Sequence, residues 1–231
     1  QCRGKYVAIV EGDDYWTDPL KLQKQYDHLE NNPDHVACFH PVRILNDSKK
    51  QFLDSFYEPP YSANSYEKVD FLLNSNFVPT CSFVSRNFYE IIPDWFHFIK
   101  YDGDFVLHLL NSDRGKYGFL KECMGVYRMH KGGVYGGLTL IAQLKREFDL
   151  YILIKKHLIQ TAVENKYLKK YMSKAGCRLA VLYYNSGEFT KSRYFLRLAK
   201  KNGSDLSDIN EECLRVLNPL TFVLQNNVIF I

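Results

Sequence analysis

Long apolar runs and paired cysteines are both missing from this sequence. No apolar stretch of the 231-residue chain approaches the roughly 20 residues that a membrane-spanning helix needs. The six cysteines are widely scattered and form no C-x-x-C pair, so the sequence indicates neither a structural zinc site nor a disulfide framework. The opening residues do not show the charged-then-apolar pattern of a signal peptide. We therefore expect a cytoplasmic protein with reduced thiols.

The charge composition is close to balanced. Lys and Arg number 30 against 26 Asp and Glu, a formal net charge of +4, and the basic residues are spread along the chain. This suits a neutral-to-anionic small ligand or an anionic membrane surface, and it falls short of what nucleic-acid-binding proteins show. A hydrophobic fraction of 46% is ample for a packed core. We expect a folded protein that does not bind nucleic acid.

The stretch KYVAIVEGDDYW, residues 5–16, carries the first candidate site. Its short apolar run predicts a buried strand that stops at an acidic turn. Because ligands of open α/β sheets lie beyond the carboxyl ends of such strands, we expect Glu11, Asp13 and Asp14 to face a metal and a phosphorylated ligand. Oxygen ligands suit Mg²⁺ or Mn²⁺. The alternative is a solvated turn that caps the next helix.

A helix is predicted directly after this turn. Asp18 and Pro19 are typical of the N-cap and of the first helical position, and the helix should end near residue 31. Apolar residues at i, i+4 and i+7 should form its buried face, namely Leu22, Tyr26 and Leu29.

The segments that follow predict two strands separated by a long connection. HVACFHPVRIL, residues 35–45, predicts one strand with a proline interruption. Residues 46–64 are polar, contain two prolines and are predicted as a long loop, a candidate lid over a site. VPTCSFVSR, residues 78–86, is predicted as a further strand.

The second candidate stretch is DGDFVLHLL, residues 102–110. Gly103 indicates a turn, and Asp104 should lie at the N-terminus of a helix. A carboxylate is stabilised there by unpaired backbone N–H groups and by the helix dipole. Asp104 is therefore either a plain N-cap or a functional carboxylate.

The third candidate stretch is CMGVYRMH, a predicted strand that ends at Arg128 and His130 and leads into the glycine-rich loop KGGVYGG. Arg can hold a phosphate with two hydrogen bonds, and neutral imidazole can ligate a metal. Glycine permits close approach of the backbone to a ligand. An exposed polar strand end is the alternative.

From Leu138 onward the apolar residues follow helical spacing, which predicts a small helical bundle. One helix pair within residues 176–199 matches tetratricopeptide spacing at Leu179, Ala180, Tyr183, Gly187, Phe189, Leu196 and Ala199, with Ser192 at a position that is usually alanine. A solenoid needs about three such units, and only one is convincing. The basic residues of this region form either a solvated face or a peripheral membrane contact.

Taken together, EGDDYW followed by TDPLKLQKQ, the later GDF and the YRMH segment closely resemble family 2 glycosyltransferases. The resemblance covers about residues 1–137 and implies the C-terminal part of an α/β sandwich of the GT-A type. Residues 138–231 would then form a separate all-helical region with one tetratricopeptide-like pair.

This resemblance implies an inverting transfer from a nucleotide-sugar donor to a saccharide or lipid-linked saccharide, assisted by Mn²⁺ or Mg²⁺. The roles it implies are metal binding for Asp13, Asp14 and His130, donor binding for Glu11 and Arg128, general base for Asp104, and acceptor binding for Trp16 and Asp102. Gly103 departs from the acid that usually precedes the base, and Asp102 is the candidate to replace that acid. Trp16 is either a platform for a sugar ring or an ordinary packing residue.

The family's nucleotide-binding strands normally precede the acidic motif. We therefore expect this chain to be a fragment that binds nucleotide weakly and is inactive alone, from a parent protein that is cytoplasmic or peripheral at the inner face of the membrane. The alternatives are a non-catalytic helical interaction module and a metal-dependent phosphoryl hydrolase, since paired aspartates also serve that chemistry.

Overall fold

A computed structural model describes residues 3–88, 92–99, 101–133 and 138–203. The chain divides into two compact units, Gln1–Gly137 and Leu138–Ile231.

The first unit is mixed α/β. Its described strands are β1 (Tyr6–Ala8), β2 (Tyr15–Trp16), β3 (His35–Phe39), β4 (Val42–Asn46), β5 (Gln51–Tyr57), β6 (Ser65–Tyr66), β7 (Val84–Arg86), β8 (Lys116–Phe119) and β9 (Gly125–Met129). Its described helices are α1 (Lys21–Asn31), α2 (Lys68–Asn74) and α3 (Gly103–Ser112), together with two short 3-10 turns, Thr80–Ser82 and Asp94–Phe98.

These strands form two sheets. The larger has the order β1-β7-β3-β8-β6 and the smaller the order β2-β9-β4-β5. One pair in each sheet is parallel, β3 with β8 and β4 with β9, and the other pairs are antiparallel. Since β1 lies in the larger sheet and β2 in the smaller, the acidic turn between them crosses from one sheet to the other.

The prediction of a single strand over residues 35–45 was wrong. The chain breaks at His40 and Pro41, and the two halves, β3 and β4, join different sheets. Proline cannot donate to a strand ladder, which explains why the sheets separate there. His40 is fully buried at this break, and burial lowers its pKa to about 4.

The prediction of a long loop over residues 46–64 was also wrong. Residues 51–57 form β5, which pairs antiparallel with β4. Nearly all of β5 is exposed, because it is the outermost strand of the smaller sheet. Its apolar and aromatic residues fall in two adjacent pairs, Phe52 with Leu53 and Phe56 with Tyr57, and do not alternate with polar ones, so the sequence pattern alone does not distinguish this edge strand from a loop. The strand predicted over residues 78–86 is in part the Thr80–Ser82 turn, and only its last three residues form β7.

Helix α1 buries a different face from the one that its apolar spacing predicted. It begins at Lys21, and the Asp18 carboxylate accepts from the Leu20 N–H at 2.8 Å ahead of it. Leu22 and Tyr26 are each 45% exposed. The buried positions are Lys21, Gln25 and Leu29.

Polar contacts explain this orientation. Gln25 is fully buried, and its amide donates to the carbonyl of Cys38 at 3.2 Å and to that of Ser82 at 2.8 Å. Its side-chain oxygen accepts from the Lys21 ammonium at 2.7 Å. Buried carbonyls need hydrogen-bond donors. These contacts therefore decide which face of α1 is buried, and they outweigh the gain that burial of Leu22 and Tyr26 would give.

The core between the larger sheet and its helices is mainly aromatic. Phe39, Tyr66, Phe71 and Tyr117 are all fully buried, and Phe77 stacks on Phe71 with ring centroids 4.7 Å apart. Ring contacts join β3, β6 and β8 through these side chains. Each such ring contributes roughly 1.5–3 kcal/mol through burial, which makes this cluster the main apolar support of the unit.

The described part of the second unit consists of three helices, α4 (Leu140–His157), α5 (Ala162–Asn185) and α6 (Phe189–Asn202). A capping box between Thr161 and Glu164 begins α5. Helices α5 and α6 form an antiparallel pair, since Ser192 donates to the Ala180 carbonyl at 2.8 Å and Gly176 faces Ala199. A Cβ on Gly176 would lie 3.1 Å from that of Ala199, so glycine allows the two helices to approach closely.

The tetratricopeptide-like character of this pair stays a prediction. The apolar end of the sequence, residues 220–231, lies outside the described residues. Among the helices that the structure describes, none combines the length and the apolar character that crossing a bilayer requires.

The role of Gln25 can be tested by denaturation. Gln25→Ala removes two donors from buried carbonyls and leaves the Lys21 ammonium without its acceptor. We expect a loss of about 2–4 kcal/mol in the free energy of unfolding, measured by urea titration. Gln23→Ala, at an exposed position of the same helix, is the matched control and should change stability by no more than about 0.5 kcal/mol. Equal effects of the two substitutions would contradict the burial argument.

Candidate functional site

The acidic turn between β1 and β2 is held against the end of β9. Within the turn, the Asp14 N–H donates to the Glu11 carbonyl at 3.2 Å. Strand β2 pairs with β9, which places the turn beside the residues that follow Val126. The Asp14 carboxylate then accepts from the Arg128 backbone N–H at 2.8 Å. The first and third candidate stretches of the sequence therefore meet in the structure.

Asp13 and His130 form a close pair at this junction. The His130 Nε2 atom lies 2.6 Å from the Asp13 Oδ2 atom. The hydrogen bond from His130 is the main cause of the lowered pKa of Asp13. The Asp13 side chain is 41% exposed, so the pair is open to solvent.

The Arg128 guanidinium is bound by a residue that the sequence analysis did not identify. It donates to the Asp47 carboxylate at 3.0 Å and to the Asp13 carbonyl at 3.4 Å. Asp47 follows β4, and its N–H donates to the Met129 carbonyl, so the parallel pairing of β4 and β9 brings the two charges together. The hydrogen bond to Asp47 is the main reason that the pKa of Arg128 is raised. No sequence pattern pointed to Asp47, because residues 46–64 were predicted as a loop.

Asp104 lies in the first turn of α3, as predicted, but it is not the N-cap, which is Asp102. The Asp104 Oδ2 atom accepts from the Asn76 amide at 2.8 Å and lies 3.5 Å from the Thr80 hydroxyl. Burial is the largest cause of the raised pKa of Asp104, and the negative charge of Asp102 adds to it.

Thr80 connects Asp104 to the acidic turn. The Thr80 side chain also lies close to Glu11, and this contact lowers the pKa of that carboxyl in opposition to burial. Burial prevails, and the charges of Asp14 and Asp104 also contribute to the raised pKa of Glu11. Glu11 and Asp104 therefore lie near the same hydroxyl, and the three candidate stretches converge on one side of the first unit.

Trp16 and Asp102, the two predicted acceptor residues, have structural contacts. The Trp16 indole N–H donates to the Cys81 carbonyl at 2.7 Å, and the buried Lys21 ammonium lies 4.3 Å from the centre of its ring. Burial lowers the pKa of Lys21 to about 8. Asp102 adopts the left-handed region with φ of 58°, and its carbonyl accepts from the Val106 N–H at the start of α3. Both residues lie beside the candidate site.

Two tyrosines border the site and were not identified from the sequence. The rings of Tyr57 and Tyr127 contact edge to face with centroids 5.8 Å apart. Burial raises the pKa of both, and the next contribution comes from Asp104 at Tyr57 and from Asp14 at Tyr127. Tyr57 lies at the end of β5, so its position became evident only when that strand was seen.

The fit of a divalent cation can be judged from the ligands present. Among the described residues, no group of three or more His, Cys, Asp or Glu side chains is arranged to hold a metal ion. Asp13 and His130 nevertheless supply one oxygen and one nitrogen side by side on an exposed surface. Mn²⁺ and Mg²⁺ commonly take few protein ligands and complete their shells with water and phosphate oxygens. The pair therefore fits such an ion.

Part of the chain matches a known protein family. Residues 1–92 match the family described as Glycosyl transferase family 2. This match confirms the resemblance to that family. The mixed α/β architecture of the first unit is consistent with a GT-A domain.

Curated relatives match longer stretches of the chain. An uncharacterized protein of Mycobacterium tuberculosis is 40% identical over 141 residues, which is 58% of this chain and 37% of the relative. A protein of Mycobacterium bovis gives the same values. An uncharacterized glycosyltransferase of Methanocaldococcus jannaschii is 27% identical over 155 residues, 67% of this chain and 51% of the relative. The chain thus spans 37% to 51% of the lengths of these relatives.

Proposed function

We propose that the protein transfers a sugar from a nucleotide-diphosphate sugar to an acceptor hydroxyl with inversion, and that Asp104 is the general base. The match of residues 1–92 to glycosyl transferase family 2 supports the reaction class. The observation that carries the proposal is the position of Thr80, whose hydroxyl lies 3.5 Å from the Asp104 Oδ2 atom of α3 and close to the Glu11 carboxyl of the acidic turn. Residues 1–137 would be a partial GT-A catalytic domain and residues 138–231 a helical region.

The chemistry requires a base and a means of stabilising the leaving group. The acceptor hydroxyl must lose its proton as it attacks the sugar, and the Asp104 carboxylate would take that proton. Burial favours the role because it raises the pKa of Asp104 and so increases its basicity, while the hydrogen bond from Asn76 opposes protonation. The acceptor would be a saccharide or a lipid-linked saccharide, with Trp16 and Asp102 at the edge of its binding site.

The opposite side of the site would bind the donor. Arg128 would contact the diphosphate together with Glu11. Asp13 and His130, with Asp14 alongside, would hold Mn²⁺ or Mg²⁺, which when bound would offset the negative charge of the departing diphosphate. The crowding of Glu11, Asp13 and Asp14 favours a cation here, because an anionic donor would otherwise be repelled.

The base role is tested by Asp104→Asn in the whole protein, assayed against a panel of nucleotide sugars with Mn²⁺. We expect kcat to fall by about 10²–10⁴-fold, because amide cannot accept the proton, while Mn²⁺ binding is retained. Asp94→Asn, in the Asp94–Phe98 turn, is the control and should keep full activity.

Other outcomes of that experiment would count against the proposal. Undiminished transfer by the Asp104→Asn protein would show that another group is the base. Phosphate release without sugar transfer, retained by the variant, would indicate a phosphoryl hydrolase built on the paired aspartates. No turnover by the whole wild-type protein, with or without metal, would favour a non-catalytic interaction module.

The metal proposal has a readout that does not need activity. Mn²⁺ binding to the chain is measured by electron paramagnetic resonance, with and without inorganic diphosphate. We expect Asp13→Asn and His130→Ala each to weaken binding about 10-fold or more, because each removes a ligand. His97→Ala removes an exposed histidine from another part of the unit and should have no effect. Equal binding by all four proteins would exclude a site at this pair.

For the helical unit we propose peripheral contact with an anionic membrane surface. Residues 138–203 contain 14 Lys and Arg against 4 Asp and Glu. Four of these cations lie at helical spacing on the exposed side of α6, namely Arg193, Arg197, Lys200 and Lys201. None of the four forms an ion pair with any residue that the structure describes. Two aromatic side chains, Phe189 and Tyr194, are 55% and 57% exposed on the same helix. A basic helix with exposed aromatics is typical of membrane-surface binding.

Co-sedimentation with vesicles tests this contact. Wild-type protein should bind phosphatidylcholine vesicles that contain phosphatidylglycerol and should dissociate from them at high salt. It should not bind vesicles of pure phosphatidylcholine. Arg193→Glu with Arg197→Glu should lower the affinity at least about tenfold. The control is Lys49→Glu with Lys121→Glu, which changes the net charge by the same amount but on the first unit. This variant should still bind the vesicles. Loss of binding in both double variants would mean that the net charge of the protein, and not the surface of α6, causes vesicle binding, which would contradict the proposal. Binding to RNA instead of vesicles would also contradict it.

A further inference from the structure

We propose that Asn76 is a positioning residue for Asp104, whose side-chain amide holds one carboxylate oxygen in place and stabilises the ionised form of the base. This inference rests on the proposed function of Asp104. Nothing in the sequence pattern singled out Asn76, which lies between α2 and the Thr80–Ser82 turn.

Three hydrogen bonds determine how Asn76 is oriented. Its Nδ2 atom donates to the Asp104 Oδ2 atom at 2.8 Å, and its Oδ1 atom accepts from the Val78 N–H at 3.2 Å. The Asn76 carbonyl accepts from the Tyr57 hydroxyl at 3.2 Å. A flipped amide would place its NH₂ group against the Val78 N–H, so the observed orientation is the one that satisfies both partners. Asn76 therefore presents a donor to Asp104 and cannot exchange it for an acceptor.

The surroundings of Asp104 make this donor necessary. Burial disfavours its charge, and the neighbouring carboxylate of Asp102 acts in the same direction. The Tyr57 hydroxyl is engaged with the Asn76 carbonyl. The Asp104 carboxylate is stabilised by the Phe105 N–H and the Asn76 amide, while the Thr80 hydroxyl lies farther away at 3.5 Å.

Loss of the Asn76 amide should therefore have a specific consequence. Asp104 would bind its proton at a higher pH, and the fraction of enzyme with an ionised base would fall on the acidic side of the profile. Because a base acts only when ionised, the acidic limb of kcat should move to higher pH, and raising the pH should restore much of the lost rate. The KM for the donor should be unchanged, since Asn76 contacts the base and not the proposed donor residues.

The experiment compares Asn76→Leu with wild type by two measurements. Carbon-13 NMR titration of the Asp104 carboxyl in the full chain, assigned through Asp104→Asn, reports protonation without requiring turnover. We expect the Asp104 midpoint to rise in Asn76→Leu, and kcat of the whole protein on the acidic limb to fall about tenfold, since the amide hydrogen bond stabilises the ionised carboxylate. Asn76→Ser, which removes the reach of the amide without adding an apolar side chain, should act in the same direction.

The control is Asn74→Leu. Asn74 lies two residues earlier, and its amide donates to the Asp70 carbonyl at 3.0 Å, away from Asp104. An unchanged Asp104 midpoint in both Asn76 variants, or an equal change in Asn74→Leu, would overturn the inference. A raised midpoint with an unshifted kcat profile would support the contact between Asn76 and Asp104 while contradicting the base role of Asp104, so the two proposals fail separately.

Discussion

The buried polar groups of the Thr80–Ser82 turn are the constraint on which the rest of the first unit depends. Buried carbonyls must find donors. The Cys81 carbonyl accepts from the Trp16 indole, and the Ser82 carbonyl accepts from Gln25. The Thr80 hydroxyl lies 3.5 Å from the Asp104 Oδ2 atom and close to Glu11. The Thr80–Ser82 turn thus determines where the acidic turn ends and which face α1 buries. It also determines how close Glu11 of the acidic turn comes to Asp104 of α3.

This arrangement concentrates negative charge, and the structure compensates each carboxylate with a donor of its own. Asp14 accepts from the Arg128 backbone, Asp13 pairs with His130, and Asp47 pairs with the Arg128 guanidinium. The compensation is incomplete for the more buried acids, since burial raises the pKa values of Glu11, Asp14 and Asp104. A site of this kind attracts cations and makes its buried carboxylates more basic, which are the two properties that the proposed reaction requires.

Sequence patterns predicted some elements of the scaffold correctly and missed others. Strand β1 and the helix after Gly103 follow from short-range patterns, so both were found. The buried face of α1 was missed because Lys21 and Gln25 are polar and are buried only through their hydrogen bonds. Strand β5 was missed because an exposed edge strand carries little apolar alternation. Each error arose where a contact between distant segments outweighed the local preference.

The sequence by itself determined which residues carry charge, and together with its short motifs this was sufficient to indicate the family resemblance and the candidate carboxylates. Only the tertiary structure decided their partners. Asn76 and Asp104 are 28 residues apart, Asp47 and Arg128 are 81 apart, and Asp14 and Arg128 are 114 apart. Neither periodicity nor spacing encodes such contacts, because they exist only once the two sheets and α3 have packed around the Thr80–Ser82 turn.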